Sequence, residues 1–164
     1  MTTSVKETAK SHLEAYMSVK GAKQGEIKGE SYRKGLEGKI RLLDFELSAI
    51  APRDLATGVA TGKRQHQPFA FETEVGSATP LLMQACVNNE VLTDVKIGVY
   101  KHDAKGQESS YLKVNFVNAT VSKYDLTGNP PDADYPIARF EITFQKIEVE
   151  VENKMMSDDW TARA

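Results

Sequence analysis

Apolar and polar residues alternate over most of this chain, in short runs separated by segments rich in glycine, proline and aspartate. From His12 to Val19, Leu13, Ala15, Met17 and Val19 share one parity, the period of two expected of a half-buried strand. "KGAKQGEIKGESYRKGLEGK" then packs five glycines into 20 residues, predicting turns around a short strand near Glu26 to Lys28. Between Lys39 and Ile50 the phase changes. Ile40 and Leu42 keep one parity, whereas Leu43, Phe45, Leu47 and Ala49 take the other. One extra residue, a β-bulge near Leu42 and Leu43, would reconcile the two runs.

A long segment, "PRDLATGVATGKRQHQP", follows and shows neither period. Phe69, Phe71, Thr73 and Val75 then resume the alternation. "GSATPLLMQACVNNE" predicts the one helix, with Thr79 as N-cap and Pro80 at the first helical position. Leu81, Leu82, Ala85 and Cys86 would share its inner face, and Asn88 or Asn89 would close it in the left-handed conformation. Beyond it, Val95, Ile97 and Val99 alternate, "HDAKGQ" turns, and Leu112, Val114 and Phe116 lead into an extended run from Val121 to Leu126. "TGNPPDADYP" is a loop. Phe140, Ile142 and Phe144 give way to Ile147, Val149 and Val151 with a second parity switch, predicting a second bulge. The pattern predicts a mainly β fold: an antiparallel β-barrel or two-sheet sandwich with one short α-helix and a long extended loop. Residues 1–11 are polar and form an N-terminal arm, leaving 12–164 as a single domain.

Composition narrows the function. With 21 basic and 23 acidic residues the net charge is −2, and the basic residues form no stripe. Nothing here is an electrostatic footprint for nucleic acid or an acidic membrane surface. The N-terminus lacks the apolar core of a signal peptide and no run reaches membrane-spanning length, so the expectation is a chain made in the cytoplasm and not inserted in a membrane. The single cysteine, Cys86, excludes an internal disulfide and a cysteine-based zinc cage.

Candidate chemistry is sparse. Gly58 to Arg64 resembles a phosphate-binding loop but has three residues between its glycines, and Arg64 stands where a magnesium-binding hydroxyl belongs. His12, His66 and His102 have no metal-ligand spacing, and no nucleophile signature accompanies them. Cys86 reads as a small core residue. Neither a catalytic residue nor a cofactor is therefore expected. The terminal "SDDW" reads as a frayed end or, through Trp160, as an anchor on a neighbouring subunit. The segment 52–68 is the main candidate. At 17 residues it exceeds the usual limit of ~12–15 for a structureless connection. It carries apolar Leu55 and Val59 with charged Arg53, Asp54, Lys63 and Arg64, and would gain order most simply against another chain. As a loop charge, Arg64 should matter little to folding unless it pairs across such an interface.

"GAKQGEIKGES", "GKRQHQP", "TPLLMQACVNNE" and "EITFQKIEVE", in this order, resemble the haemolysin-coregulated protein (Hcp) family over about Met17 to Trp160. The resemblance implies the tube subunit of a type VI secretion system. Its subunits form hexameric rings that stack into a hollow tube, driven outward by a contractile sheath with a spike protein and carrying effectors. It implies no enzyme activity, and secretion without a signal peptide. The segment Arg53 to His66 matches the family's extended loop, placing Arg53, Asp54, Leu55, Val59, Lys63, Arg64, Gln65 and His66 at contacts between subunits and rings. Gly25, Gly29, Glu30 and Ser31 match an early glycine-rich turn. Thr79, Pro80, Leu81, Leu82, Ala85 and Cys86 match the helix, with Thr79, Gln84 and Asn88 on its lumen side. The alternatives are a barrel that binds a small apolar ligand and a hydrolase built around His66 or Cys86; large inward residues such as Phe45, Phe69, Phe71, Phe116, Phe140 and Phe144 weigh against the first.

Overall fold

The computed structural model describes residues 13–102, 104–131 and 133–160, and of residue 102 only the backbone. The expected arm at 1–11, His12 and the side chain of His102 lie outside the described residues. Among the described residues twelve strands and one helix follow in order. They are β1 (Ala15–Gly21), β2 (Gly25–Ile27), β3 (Ile40–Leu42), β4 (Asp44–Glu46), β5 (Ala49–Ile50), β6 (Gln65–His66) and β7 (Phe69–Glu74). The helix α1 (Ala78–Val87) comes next, then β8 (Leu92–His102), β9 (Glu108–Thr127), β10 (Ile137–Thr143), β11 (Lys146–Val151) and β12 (Lys154–Asp159).

All pairings are antiparallel. The main sheet runs β2-β1-β8-β9-β10-β7-β4, with β3 also on β1. One chain segment, β3 and β4 together, links the two ends of it by passing from β1 to β7. β3 pairs β1 through Ile40 and Leu42, and β4 pairs β7 through Phe45 opposite Phe71. Leu43, between them, donates its N–H to the Glu72 carbonyl at 2.8 Å. The first parity switch is therefore a crossing between two partner strands rather than a bulge. The inward face changes because the segment leaves β1 and joins β7.

The second switch is a corner shared by two strands. β10 and β11 run along one edge of the 20-residue β9, pairing first with its distal half and then with Leu112 to Val117. At the join Asn118 takes φ 51°, and Gln145 donates its N–H to the Val117 and Asn118 carbonyls. Asn118 Nδ2 donates to Gln145 Oε1 at 3.0 Å. Both strands turn over together, so Phe116 and Ala119 are buried on β9 while Phe144 and Ile147 are buried on its partner. A true register shift lies a few residues away, between Glu141 and Ile142.

The barrel interior is filled. Phe69, Phe71, Phe116 and Phe140 are nearly inaccessible and touch in sequence, with ring centroids 4.8 to 6.0 Å apart. Filling by aromatic rings leaves a packed core rather than a ligand chamber. An open groove of about 400 Å³ lies outside it, between residues 29–33 and the end of β7.

The helix starts earlier than its sequence predicts. Ser77 precedes it, and Thr79 lies inside the first turn with its hydroxyl accepting the Gly76 N–H at 2.9 Å. The Ser77 N–H is satisfied by Glu30 Oε1 at 3.0 Å, so the cap comes from the glycine-rich turn 47 residues away. Ala78, Thr79, Leu82 and Ala85 form the buried face; Leu81 is exposed and Cys86 half-buried. Asn89, at φ 53°, closes the helix as expected. Glu90 follows directly and is buried, its carboxylate accepting the backbone N–H groups of Lys23 and Gln24 and the Gln24 side chain.

Candidate functional site

The segment from Ser48 to Gln67 is a hairpin arm and not an irregular loop. Gln67 donates to the Ser48 carbonyl at 3.0 Å, Ala49 pairs His66, and Ile50 pairs Gln65. Further out, Thr61 donates to Pro52 O at 3.0 Å and Arg53 bridges Ala60. Asp54 builds the tip: its backbone pairs Val59 and accepts the Gly58 N–H, while its carboxylate accepts from the Ala56 N–H and the Thr57 hydroxyl. Gly58 supplies the left-handed turn at φ 72°, where a side chain would be strained. The arm thus has its own internal hydrogen bonds, a source of order other than the neighbouring chain that the sequence suggested as the simplest one.

On this frame the apolar side chains have nothing to cover them. Leu55 is fully exposed, Val59 is 61% exposed and Ile50 is half exposed. Arg53, Asp54 and Lys63 are exposed beside them. Three exposed apolar residues on one short hairpin are a grouping rather than a single scattered side chain, and such groupings mark interaction surfaces.

At the base the picture reverses. Arg64 forms a bidentate pair with Asp158 on β12, Nε to Oδ2 and Nη2 to Oδ1 both at 2.7 Å, and Nη2 also reaches the Asp159 carbonyl. His66 Nε2 lies 2.7 Å from the same Asp158 Oδ2. Its ring is buried edge-on against Phe144 at 5.5 Å and Trp160 at 5.0 Å. Arg64 is therefore paired within its own chain, so the expectation that as a loop charge it matters little to folding unless paired across an interface does not hold for it. Trp160 is neither frayed nor offered whole to a neighbour. It closes the C-terminal hairpin β11–β12 by donating its N–H to Gln145 O at 2.9 Å, with its ring on His66.

Hydrogen bonds from Arg64 and then His66 hold the Asp158 carboxyl down at about 2, against an ordinary value of 3.8. A depressed folded-state value stabilises the folded chain at every pH above the ordinary one, and that contribution disappears as pH falls through about 2. The pair is partly exposed and screened by solvent, so only a fraction of that shift acts as stability. Acid titration of Asp158→Asn followed by far-UV circular dichroism is expected to show a flatter loss of stability below pH 4 than the parent chain.

Of the three helix residues expected on a lumen side, Thr79 is buried and bonded inward, while Gln84 and Asn88 are exposed on the outer face. Gly29, Glu30 and Ser31 stand at the groove beside the helix start; Gly25 is a turn residue at φ 73°. A Cβ on Gly29 would lie 2.6 Å from the Lys39 carbonyl, so close strand approach explains that glycine. Among the described residues no three His, Cys, Asp or Glu side chains gather as a metal site, and no helix is long and apolar enough to cross a membrane. Asp158 entered the sequence analysis only as part of "SDDW" and was given no role of its own, since nothing local marks it as the partner of Arg64 and His66.

Residues 16–151 match the family model described as "Type VI secretion system effector, Hcp". The chain is 32% identical over 162 residues to the "Major exported protein" of Pseudomonas aeruginosa, covering 89% of this chain and 94% of that one. It superposes on the Hcp1 protein of the E. coli EAEC 042 pathovar with a TM-score of 0.81 and 28% identity, covering 90% of this chain and 98% of the other. For the secreted protein Hcp3 of Pseudomonas aeruginosa the TM-score is 0.76 and the identity 25%, covering 92% and 99%.

Proposed function

Because this chain belongs to the Hcp family, the exported, non-enzymatic tube proteins of type VI secretion systems, we propose that it closes into a hexameric ring whose hairpin arms grip the next subunit or ring. The observation that carries this reading is the fully exposed Leu55 on an arm that is ordered without a partner. A head-to-tail contact of this kind closes into a ring when its rotation divides a full turn, and the same arms can then join ring to ring. The near-neutral net charge of −2 keeps repulsion between neighbours small. In this reading the rings assemble in the cytoplasm inside a contractile sheath, carry a spike protein and effectors, and leave without a signal peptide. Arg53, Asp54, Leu55, Val59, Lys63 and Gln65 make the contacts, while Gln84 and Asn88 are the helix residues free to face a lumen.

Leu55→Asp tests it. The substitution removes no contact within the chain, so the thermal midpoint should hold while association weakens by at least about tenfold, the size of a lost anchor residue. Light scattering behind size-exclusion chromatography reads both states. A variant that assembles like the parent over the same concentration range rules the arm out as the contact.

A further inference from the structure

We propose that Asp158 is a positioning residue for assembly: it pins the base of the hairpin arm to the C-terminal hairpin and so sets the direction in which the arm leaves the barrel. This rests on the reading of the arm as the contact element. Within the arm, the bonds around Asp54 and the pairs Ala49–His66 and Ile50–Gln65 set its shape, but none of them joins it to the barrel. From residue 53 to 63 every side chain is exposed. The side-chain bonds that tie the arm to another element converge on β12, where Arg64 and His66 share the Asp158 carboxylate and the His66 ring sits against Phe144 and Trp160.

A two-stranded hairpin fixed at one point behaves as a lever. With the pin in place its tip is presented in one orientation before any partner arrives, and association does not have to order it. Without the pin the arm keeps its internal bonds but samples many directions, and binding must recover that freedom. β11–β12 then has a task that its own sequence does not announce. Its last residues, Asp158 to Trp160, hold the arm through Arg64, His66 and the His66 ring.

The full chain carrying Asp158→Ala tests this beside Arg64→Gln, Leu55→Asp and the double variant Arg64→Gln/Asp158→Ala. Tryptic nicking after Arg53 and Lys63, timed on the 18.2 kDa peak, reads arm mobility. Light scattering over a dilution series reads association. Asp158→Ala and Arg64→Gln should each speed nicking and raise the association midpoint by roughly tenfold, and the double variant should do no worse than either, since both remove one pin. Leu55→Asp should lose association while being nicked at the parental rate, separating contact from positioning. Unchanged nicking in both single variants overturns the proposal, as does faster nicking with parental association. If Leu55→Asp associates normally, the reading of the arm as the contact has failed instead, and the nicking rate still reports whether Asp158 holds it. Asp158→Glu, which keeps the carboxylate, should recover most of the parental nicking rate; a purely spatial role for the aspartate would give no such recovery.

Discussion

Phe116→Ala is expected to lower the stability of the subunit by about 3–5 kcal/mol, the range for deleting a fully buried ring that its surroundings cannot replace. Phe116 is 1% exposed, with Phe69 and Phe144 at centroid distances of 4.8 and 4.7 Å. It pairs Val95 on one side and Ile147 on the other, two residues before the Asn118 corner. The neighbouring strands are fixed by hydrogen bonds on both edges, so they cannot collapse into the space, and most of the void persists. A domain of this size has only about 5–15 kcal/mol in total, which makes the variant marginal. Urea denaturation at concentrations where the chain is monomeric gives the value free of the assembly term. A loss below about 1 kcal/mol with an unchanged slope would mean that the barrel repacks.

Glu90→Ala should cost nearly as much, about 2–4 kcal/mol, for a different reason. The Glu90 carboxylate is 4% exposed and accepts the Lys23 and Gln24 N–H groups at 3.0 and 2.8 Å, with Gln24 Nε2 at 3.1 Å. Alanine leaves the two backbone donors without their acceptor, while Gln24 Nε2 keeps the Leu81 carbonyl at 3.1 Å. In the parent chain the carboxylate also excludes a side chain at position 21, since a Cβ on Gly21 would collide with it. Burial pushes the Glu90 carboxyl up, but the bonds from Gln24 and Lys23 outweigh it and leave the group below its ordinary 4.5. Its charged form therefore stabilises the fold above pH 4.5, and this contribution is lost as pH falls through the lowered folded value. Glu90→Gln should keep part of the stability at pH 7 and lose less of it on acidification. An acid limb identical to that of the parent would refute the assignment.

Much of the barrel was legible in the alternation of Met17, Val19, Phe69, Phe71, Val95, Ile97, Val114, Phe140 and Ile142, all of which are buried. Two parity switches were legible too, but their cause was not. The pattern says that the inward face changes, and a bulge, a crossing and a corner all change it. The arm was found by its length and its mix of apolar and charged residues, yet its internal order was missed because Asp54 supplies four bonds that no period reports. Thr79 was assigned as a cap from local preference, and the tertiary partner Glu30 took that place.

The sequence by itself determined most of the barrel strands, the helix, the family and the place of the exposed apolar arm, but not β6 or β12, whose residues carry no apolar alternation. The tertiary structure alone decided that Arg64 and His66 meet Asp158 across 94 and 92 residues, and that Glu90 reaches Gln24 across 66. Such meetings depend on sheet register and on how the closed barrel brings distant edges together, and neither is encoded in any local period.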